Sequence, residues 1–258
     1  FYRRSDMSML ELTPDFIKEF AAYLSTEAGL RNGSIWANCM WLKGVVMKAH
    51  YNGLIPRNPF IQFHISPNVK EREYLTEDEL KAVMTHEFAD SKLAYIRDIF
   101  IFASFTVLSF VDIQELTNDN IVEVNGEKWI LSKRHKTKVA FQVKLLDIPL
   151  QIVERYRPMQ KDNRIFPDLN YWSICKPLKR MIRECGITKS ISFHCSRHGF
   201  ATLALSKGMP IESVSRVLGH TNIVTTQLYA KITTQKLDND LTMFGDKLSK
   251  TFNGITMS

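Results

Sequence analysis

Three short stretches near the C-terminal end concentrate the residue types that can do chemistry. They are His194-Cys195-Ser196-Arg197, Leu218-Gly219-His220 and, nine residues further on, Tyr229. Histidine titrates near neutrality and serves as acid or base. Arginine keeps its charge and presents a planar fork of N–H donors that fits an oxyanion. A tyrosine hydroxyl, with a free pKa of about 10, attacks only where a base or a stabilised oxyanion helps it. Each residue alone has a bland reading, since a lone histidine is more often structural and a lone tyrosine on an amphipathic helix is usually core. The spacing argues for more. His194 and Arg197 are three apart and project from one face of a helix. Pro210 opens a short helix and Gly219 closes it, which puts His220 at a helix end, with Tyr229 on the next helix. Upstream, Arg134-His135-Lys136-Thr137 lies at the tip of a hairpin.

The elements that must hold these residues follow from periodicity and punctuation. Thr13-Pro14-Asp15 starts a helix, with Phe16, Phe20 and Tyr23/Leu24 at helical spacing. Asn32-Gly33-Ser34 should break the chain before a second helix from about Ile35 to His50, which ends at Tyr51-Asn52-Gly53. The segment 66–72 is polar, holds a proline and lacks periodicity, as a linker would. Beyond it, Thr76-Glu77-Asp78-Glu79 is a capping box, and a nearly all-apolar helix from about Leu93 to Leu108 should be buried. Residues 121–124, 128–133 and 139–145 are β-prone, with Asn125-Gly126 as a hairpin turn between the first two. After Asp147 the pattern is helical to the end. The expected organisation is therefore mainly α with one small antiparallel β-sheet. Its parts are a helical domain (1–66), a linker (67–73), a larger domain (74–231) and a tail helix (232–258).

Charge points to a polyanion. The 258 residues carry a net charge of +7, which is moderate, but two basic runs contain no acid at all. The first, from Ala28 to Lys70, includes Arg31, Lys43, Lys48 and Arg57; the second, from Lys128 to Lys144, includes Lys133, Arg134, Lys136 and Lys138. The hydrophobic share of 45% excludes a disordered chain, and the most apolar stretch, Ile99 to Leu108, is too short to span a bilayer. Cys39, Cys175, Cys185 and Cys195 form no metal-ligand spacing and read as reduced cysteines of a cytosolic protein. The first residue is Phe1, not Met, as in a piece of a longer chain from which an upstream domain is missing.

Taken together, His-x-x-Arg at 194–197, Leu-Gly-His at 218–220 and Tyr229 resemble the tyrosine recombinases of the phage-integrase family. The resemblance extends to Lys136-Thr137, to Phe-Thr-Val-Leu-Ser-Phe-Val-Asp at 105–112 and to Asn58-Pro59-Phe60 before the linker. It implies a core-binding domain followed by a catalytic domain. It also implies strand cleavage through a 3′-phosphotyrosine on Tyr229, whose retained bond energy lets the strand be rejoined without ATP. Arg197 and His220 would hold the non-bridging oxygens, His194 would act in acid–base catalysis and Lys136 would protonate the leaving 5′-oxygen. No cofactor or metal is expected. The implied partners are double-stranded DNA with specific attachment sites, further copies of the chain in a tetrameric synapse, and accessory DNA-bending or directionality factors. Lys43, Lys48, Arg57, Lys133 and Lys138 are candidate DNA contacts, with the two domains closing on the duplex as a clamp. Such a protein would work in the bacterial cytoplasm at the nucleoid, integrating or excising a mobile element.

One position departs from the family pattern. Where Phe-Thr-Gly-Leu-Arg is usual, this chain has Val107 for the glycine and Ser109 for the arginine, while Asp112 keeps the acidic position. Losing one phosphate-clamping donor typically costs about 3 kcal/mol of transition-state stabilisation. Either the chain is a decayed DNA-binding regulator, or another cation has taken the arginine's place, Arg134 being the candidate. A type IB topoisomerase would share the chemistry, and the small N-terminal domain fits an integrase better. The tail stripe Leu237, Leu241, Phe244, Leu248 and Phe252 must dock somewhere, on its own domain or on a neighbouring subunit.

Overall fold

The computed structural model describes residues 6–67, 73–135, 138–160, 162–167, 169–220, 222–229 and 234–251. The chain divides into two units, residues 1–71 and 72–258.

In the first unit, α1 (Pro14–Thr26) starts as its sequence demands: the Thr13 hydroxyl accepts from the Phe16 N–H at 3.2 Å, with Pro14 in the first turn. α2 (Asn32–Tyr51) begins earlier than expected. The break falls at Gly29 (φ +61), which lets the Leu30 N–H reach back to the Leu24 carbonyl at 2.9 Å. Asn32, Gly33 and Ser34 instead form the first helical turn, where backbone N–H groups need no intrahelical partner and poor helix formers cost little. Ile17, Val46, Ala49, Ile55 and Phe60 close one apolar cluster, and Leu24, Ile35 and Cys39 a second. The Asn58 side chain accepts from the Phe60 N–H at 2.9 Å, a local turn that drives Phe60 into the core.

The second unit is built around α4 (Ser91–Thr106), which follows α3 (Glu77–Thr85) and packs against α6 (Asp147–Tyr156), α7 (Tyr171–Glu184) and α8 (Cys195–Ser206). Buried on nearly every side, α4 explains the apolar run. The expected capping box at α3 is present in full, Thr76 and Glu79 each bonding the other's backbone N–H. After the short α5 (Phe110–Gln114) comes an antiparallel sheet in the order β1 (Ile121–Val124), β2 (Glu127–Lys133), β3 (Ala140–Lys144). Asn125 and Gly126 both have positive φ, as a two-residue hairpin turn requires. The chain finishes with α9 (Ile211–Leu218), α10 (Val224–Gln227) and α11 (Thr234–Thr251). The fold is mainly helical with one small sheet, as expected.

Two local features position the site. Gly219 ends α9 in the left-handed conformation (φ +68). Val107 ends α4 the same way (φ +60), an unfavourable conformation for a β-branched residue. Its side chain, fully buried among Ala201, Ala204, Leu205, Val214 and Leu218, keeps it there.

Candidate active site

Two guanidinium groups meet at the Val107 carbonyl. Arg197, in the first turn of α8, donates to it from Nη1 at 2.5 Å, and from Nη2 to the Leu218 carbonyl at 2.7 Å. Arg134, immediately after β2, donates from Nη1 to Val107 at 3.3 Å and from Nη2 to the Val217 carbonyl at 2.9 Å. The acceptors are carbonyls at the ends of α4 and α9, which have no partner inside their helices and carry the negative end of the helix dipole. Arginine side chains therefore complete both helix ends.

The two arginines differ in what holds them. Arg134 is 6% exposed, pairs with Asp112 Oδ2 at 2.9 Å and lies over the Phe141 ring at 4.2 Å. Asp112 also accepts from the backbone N–H groups of His135 (3.0 Å) and Ser109 (3.2 Å), while the Ser109 hydroxyl accepts from the Asp112 N–H. Burial works to raise the Asp112 pKa, but these bonds outweigh it and hold the carboxyl below its ordinary range. Among the described residues, the hydrogen bonds of Arg197 go to carbonyls. Burial first, then the like charge of Arg134, pulls its pKa down to about 10. Of five N–H groups on each guanidinium, the bonds named leave three on Arg197 and two on Arg134. One of those two, Arg134 Nε–H, is buried with no hydrogen-bond partner among the described residues, and a Cβ at Gly219 would lie 3.1 Å from the Nε atom. Gly219 is thus required both by its φ and by the space Arg134 occupies.

His220 follows directly, its Nδ1 2.8 Å from the buried Thr226 hydroxyl. Burial, Arg197 and Arg134, in that order, lower its pKa, so the ring is neutral at pH 7. The Thr226 carbonyl accepts from the Tyr229 N–H at 3.0 Å, so one residue of α10 anchors both His220 and Tyr229. Tyr229 stands just past α10, not on it, and packs against the cluster around Val107. His194 is the N-cap of α8 and solvent-exposed. Between these two rings lies that of His198, which sequence reasoning missed: its centroid is 4.9 Å from His194 and 5.0 Å from Tyr229. The one available sign was its place one turn after His194. Two other tyrosines near this unit's core are otherwise engaged. Tyr156 is buried, donates to Asp98 at 2.8 Å and has its pKa raised well beyond the usual range by burial. Tyr171 packs edge-on against Phe110, and its bond with Cys175 raises its pKa.

The structure brings Arg134, Arg197, His194, His220 and Tyr229 into one neighbourhood. Lys136 and Thr137 lie outside the described residues. Arg134 is not on a strand; β2 ends at Lys133, and the Lys138 N–H bonds the Arg134 carbonyl at 2.8 Å, closing a turn. Among the proposed DNA contacts, Lys133 and Lys138 flank this turn and are exposed. In the other unit Lys48 and Arg57 are exposed and Lys43 half-buried. Trp41, two turns before Lys48 on α2, is 75% exposed and was not singled out by sequence.

Among the described residues no helix is long and apolar enough to cross a membrane. Comparison with known proteins agrees with the geometry. Residues 73–236 match the phage integrase family, and residues 1–65 match the phage integrase SAM-like domain. The chain is 32% identical to tyrosine recombinase XerA of Pyrococcus horikoshii over 177 residues, 63% of this chain and 58% of that protein. It is 25% identical to tyrosine recombinase XerC of Lactobacillus leichmannii over 229 residues, 83% of this chain and 77% of that one. Its fold is similar to the Tn1549 transposon integrase in complex with circular intermediate DNA, at TM-score 0.75 and 18% identity, over 93% of this chain and 88% of that one. A family match across most of its length, over a fold that gathers the arginines, histidines and tyrosine, shows that the chain belongs to the phage integrase family.

Proposed function

We propose that this chain is a site-specific tyrosine recombinase that cuts and rejoins duplex DNA through Tyr229, integrating or excising a mobile element. The observation that carries this reading is the convergence of Arg134 and Arg197 on one carbonyl, beside His220 and Tyr229. The three Arg197 N–H groups that take no partner among the described residues can meet an anion, and a phosphate entering there restores what burial took from Arg197. His220 is tied to Thr226 through Nδ1, and in the neutral tautomer with its proton on Nε2, where the Thr226 hydroxyl is the donor, it donates that proton to a non-bridging oxygen. Tyr229 attacks phosphorus as the 5′-oxygen leaves; His194 serves as acid or base for the phenol, and Lys136 protonates the leaving oxygen. The phosphotyrosyl bond replaces the phosphodiester bond, so the reverse attack by a 5′-hydroxyl reseals the strand. No external energy source enters.

Arg134 takes the place of the arginine missing at Ser109. Its support is geometric: Ser109 and Asp112 close the start of α5 as a capping box, and the same Asp112 carboxylate pairs with Arg134. The acid that ordinarily follows the arginine by three residues here orients one arriving from the hairpin. Domains 1–66 and 74–231 each supply DNA contacts, from Lys43, Lys48 and Arg57 in the first and Lys133 and Lys138 in the second. These contacts track phosphates and set affinity more than sequence choice. The tail helix (232–258) joins copies of the chain into a synaptic tetramer on paired attachment sites in the bacterial nucleoid.

The test is the covalent adduct on a suicide substrate that traps cleavage. Tyr229→Phe should abolish it while leaving DNA affinity within a few-fold, because only the nucleophilic oxygen is lost. An adduct formed by Tyr229→Phe would assign the nucleophile elsewhere.

A further inference from the structure

A buried hydroxyl has to place its proton on an acceptor. Two other helical threonines of this unit turn theirs back on their own helix: Thr85 donates to the Lys81 carbonyl at 3.0 Å and Thr106 to the Phe102 carbonyl at 2.7 Å. Thr226 is fully buried on the four-residue α10, and among the described residues its hydroxyl has one hydrogen-bond partner, His220 Nδ1 at 2.8 Å. If His220 donated from Nδ1, the Thr226 proton would be buried without an acceptor, an expensive arrangement. Every proton is placed when the hydroxyl donates to a bare Nδ1, which leaves the proton of the neutral ring on Nε2. The same bond fixes the ring's rotation. The backbone of His220 is held separately, by its N–H on the Ser215 carbonyl at 3.0 Å.

We infer that Thr226 is a positioning residue for the phosphate site: its hydroxyl selects the His220 tautomer and holds Nε2–H ready for the anion that Arg197 receives. This rests on His220 being a donor to the scissile phosphate. Thr226 acts through the ring, as partners behind a functional histidine do. Its carbonyl separately accepts from the Tyr229 N–H at 3.0 Å, a bond that any residue at this position keeps. Substitution therefore tells hydroxyl from carbonyl: Thr226→Val retains the branched shape and the carbonyl and removes the proton donor.

Ring-nitrogen NMR on the full chain tests it, with the His220 signals assigned by their loss in His220→Ala. At neutral pH the wild-type ring should carry its proton on Nε2 and show a bare, hydrogen-bonded Nδ1. Thr226→Val should blur this pattern into an average of both tautomers. It should also slow single-turnover cleavage of a suicide substrate by about 10- to 100-fold, with DNA affinity within a few-fold of wild type. Thr226→Ser should restore both the ring pattern and most of the rate. A wild-type ring protonated on Nδ1 overturns the inference by itself, whether or not the Val variant folds. It also falls if Thr226→Val cleaves at the wild-type rate. A Thr226→Val protein that slows while its ring pattern stays as in wild type sinks it too, because the loss is then structural. Normal cleavage by His220→Ala is a separate failure: it removes His220 from the phosphate, and with it the reading on which Thr226 depends.

Discussion

The guanidinium pocket and the C-terminal helix α11 treat their sticky groups in opposite ways. In the pocket, two charged side chains are drawn under the surface and bound by carbonyls and a carboxylate of the same unit. On α11 the stripe expected from spacing is present, yet Leu237 is 49%, Leu241 60%, Phe244 56% and Leu248 39% exposed. Phe252 lies outside the described residues. The four described side chains of the stripe are thus largely exposed along one face of α11. Anion-binding machinery is thus assembled within one chain, while an isolated amphipathic helix is marginal in water without a surface to cover it. The difference sets side chains already bound within their unit against an apolar face that is still exposed.

The largest expected effect comes from breaking the first side. Arg134→Lys keeps the charge but loses the planar fork that spans Val107, Val217 and Asp112. Cleavage should fall by about 100- to 1,000-fold, with DNA still bound. Arg134→Ala should also destabilise the fold by roughly 3–5 kcal/mol, since it strands a buried Asp112. Ser109→Arg combined with Arg134→Ala should recover cleavage if Arg134 stands in for the missing arginine. Normal cleavage by Arg134→Ala at saturating DNA, with weaker binding and a shallower salt dependence, would instead make Arg134 an ordinary phosphate contact.

The tail should give a subtler result. Removing residues 236–258 should leave the melting temperature and single-site binding intact while reducing the slower-migrating synaptic complex in gel-shift assays. A deletion that unfolded the second unit would mean that the tail belongs to its core. Smallest of all is a titration. Burial, Arg197 and Arg134 depress His220, so its midpoint should lie below the ordinary value of about 6.5. The unfolded chain then takes up this proton more readily than the folded one. His220 therefore withdraws stability as the pH falls through about 6.5 and costs nothing above it. Among the seven histidines followed by NMR, His220 should move upward on adding duplex DNA, because an anion offsets the arginines. A midpoint that ignored DNA would put the phosphate elsewhere.

Much of this was legible in sequence because it is written in local chemistry. Thr13-Pro14, the Thr76–Glu79 box, the Asn125-Gly126 turn and the Pro210–Gly219 limits of α9 are each decided by a few adjacent residues. His194, Arg197, His220 and Tyr229 were legible as an ordered set. The misplaced break at Asn32-Gly33 shows the limit: both Gly29 and Gly33 could turn the chain, and only the bond from Leu30 to Leu24 selects Gly29. Val107 was read as a substituted glycine, but its left-handed backbone is imposed by side chains of α8 and α9 more than ninety residues away. That its carbonyl is the shared acceptor could not be read at all, since a carbonyl has no letter of its own. His198 was hidden for a related reason, as ring contacts depend on where α10 delivers Tyr229.

The shared carbonyl has a consequence for descent. If a clamping arginine is addressed by the acceptor it must reach, then its place in the chain is free to drift. A lineage could gain Arg134 on the hairpin first, hold two claimants for Asp112 for a time, and then lose the one at position 109 without a lifeless intermediate. Relatives would then be better sorted by which backbone atoms their arginines touch than by the column of an alignment in which those arginines stand.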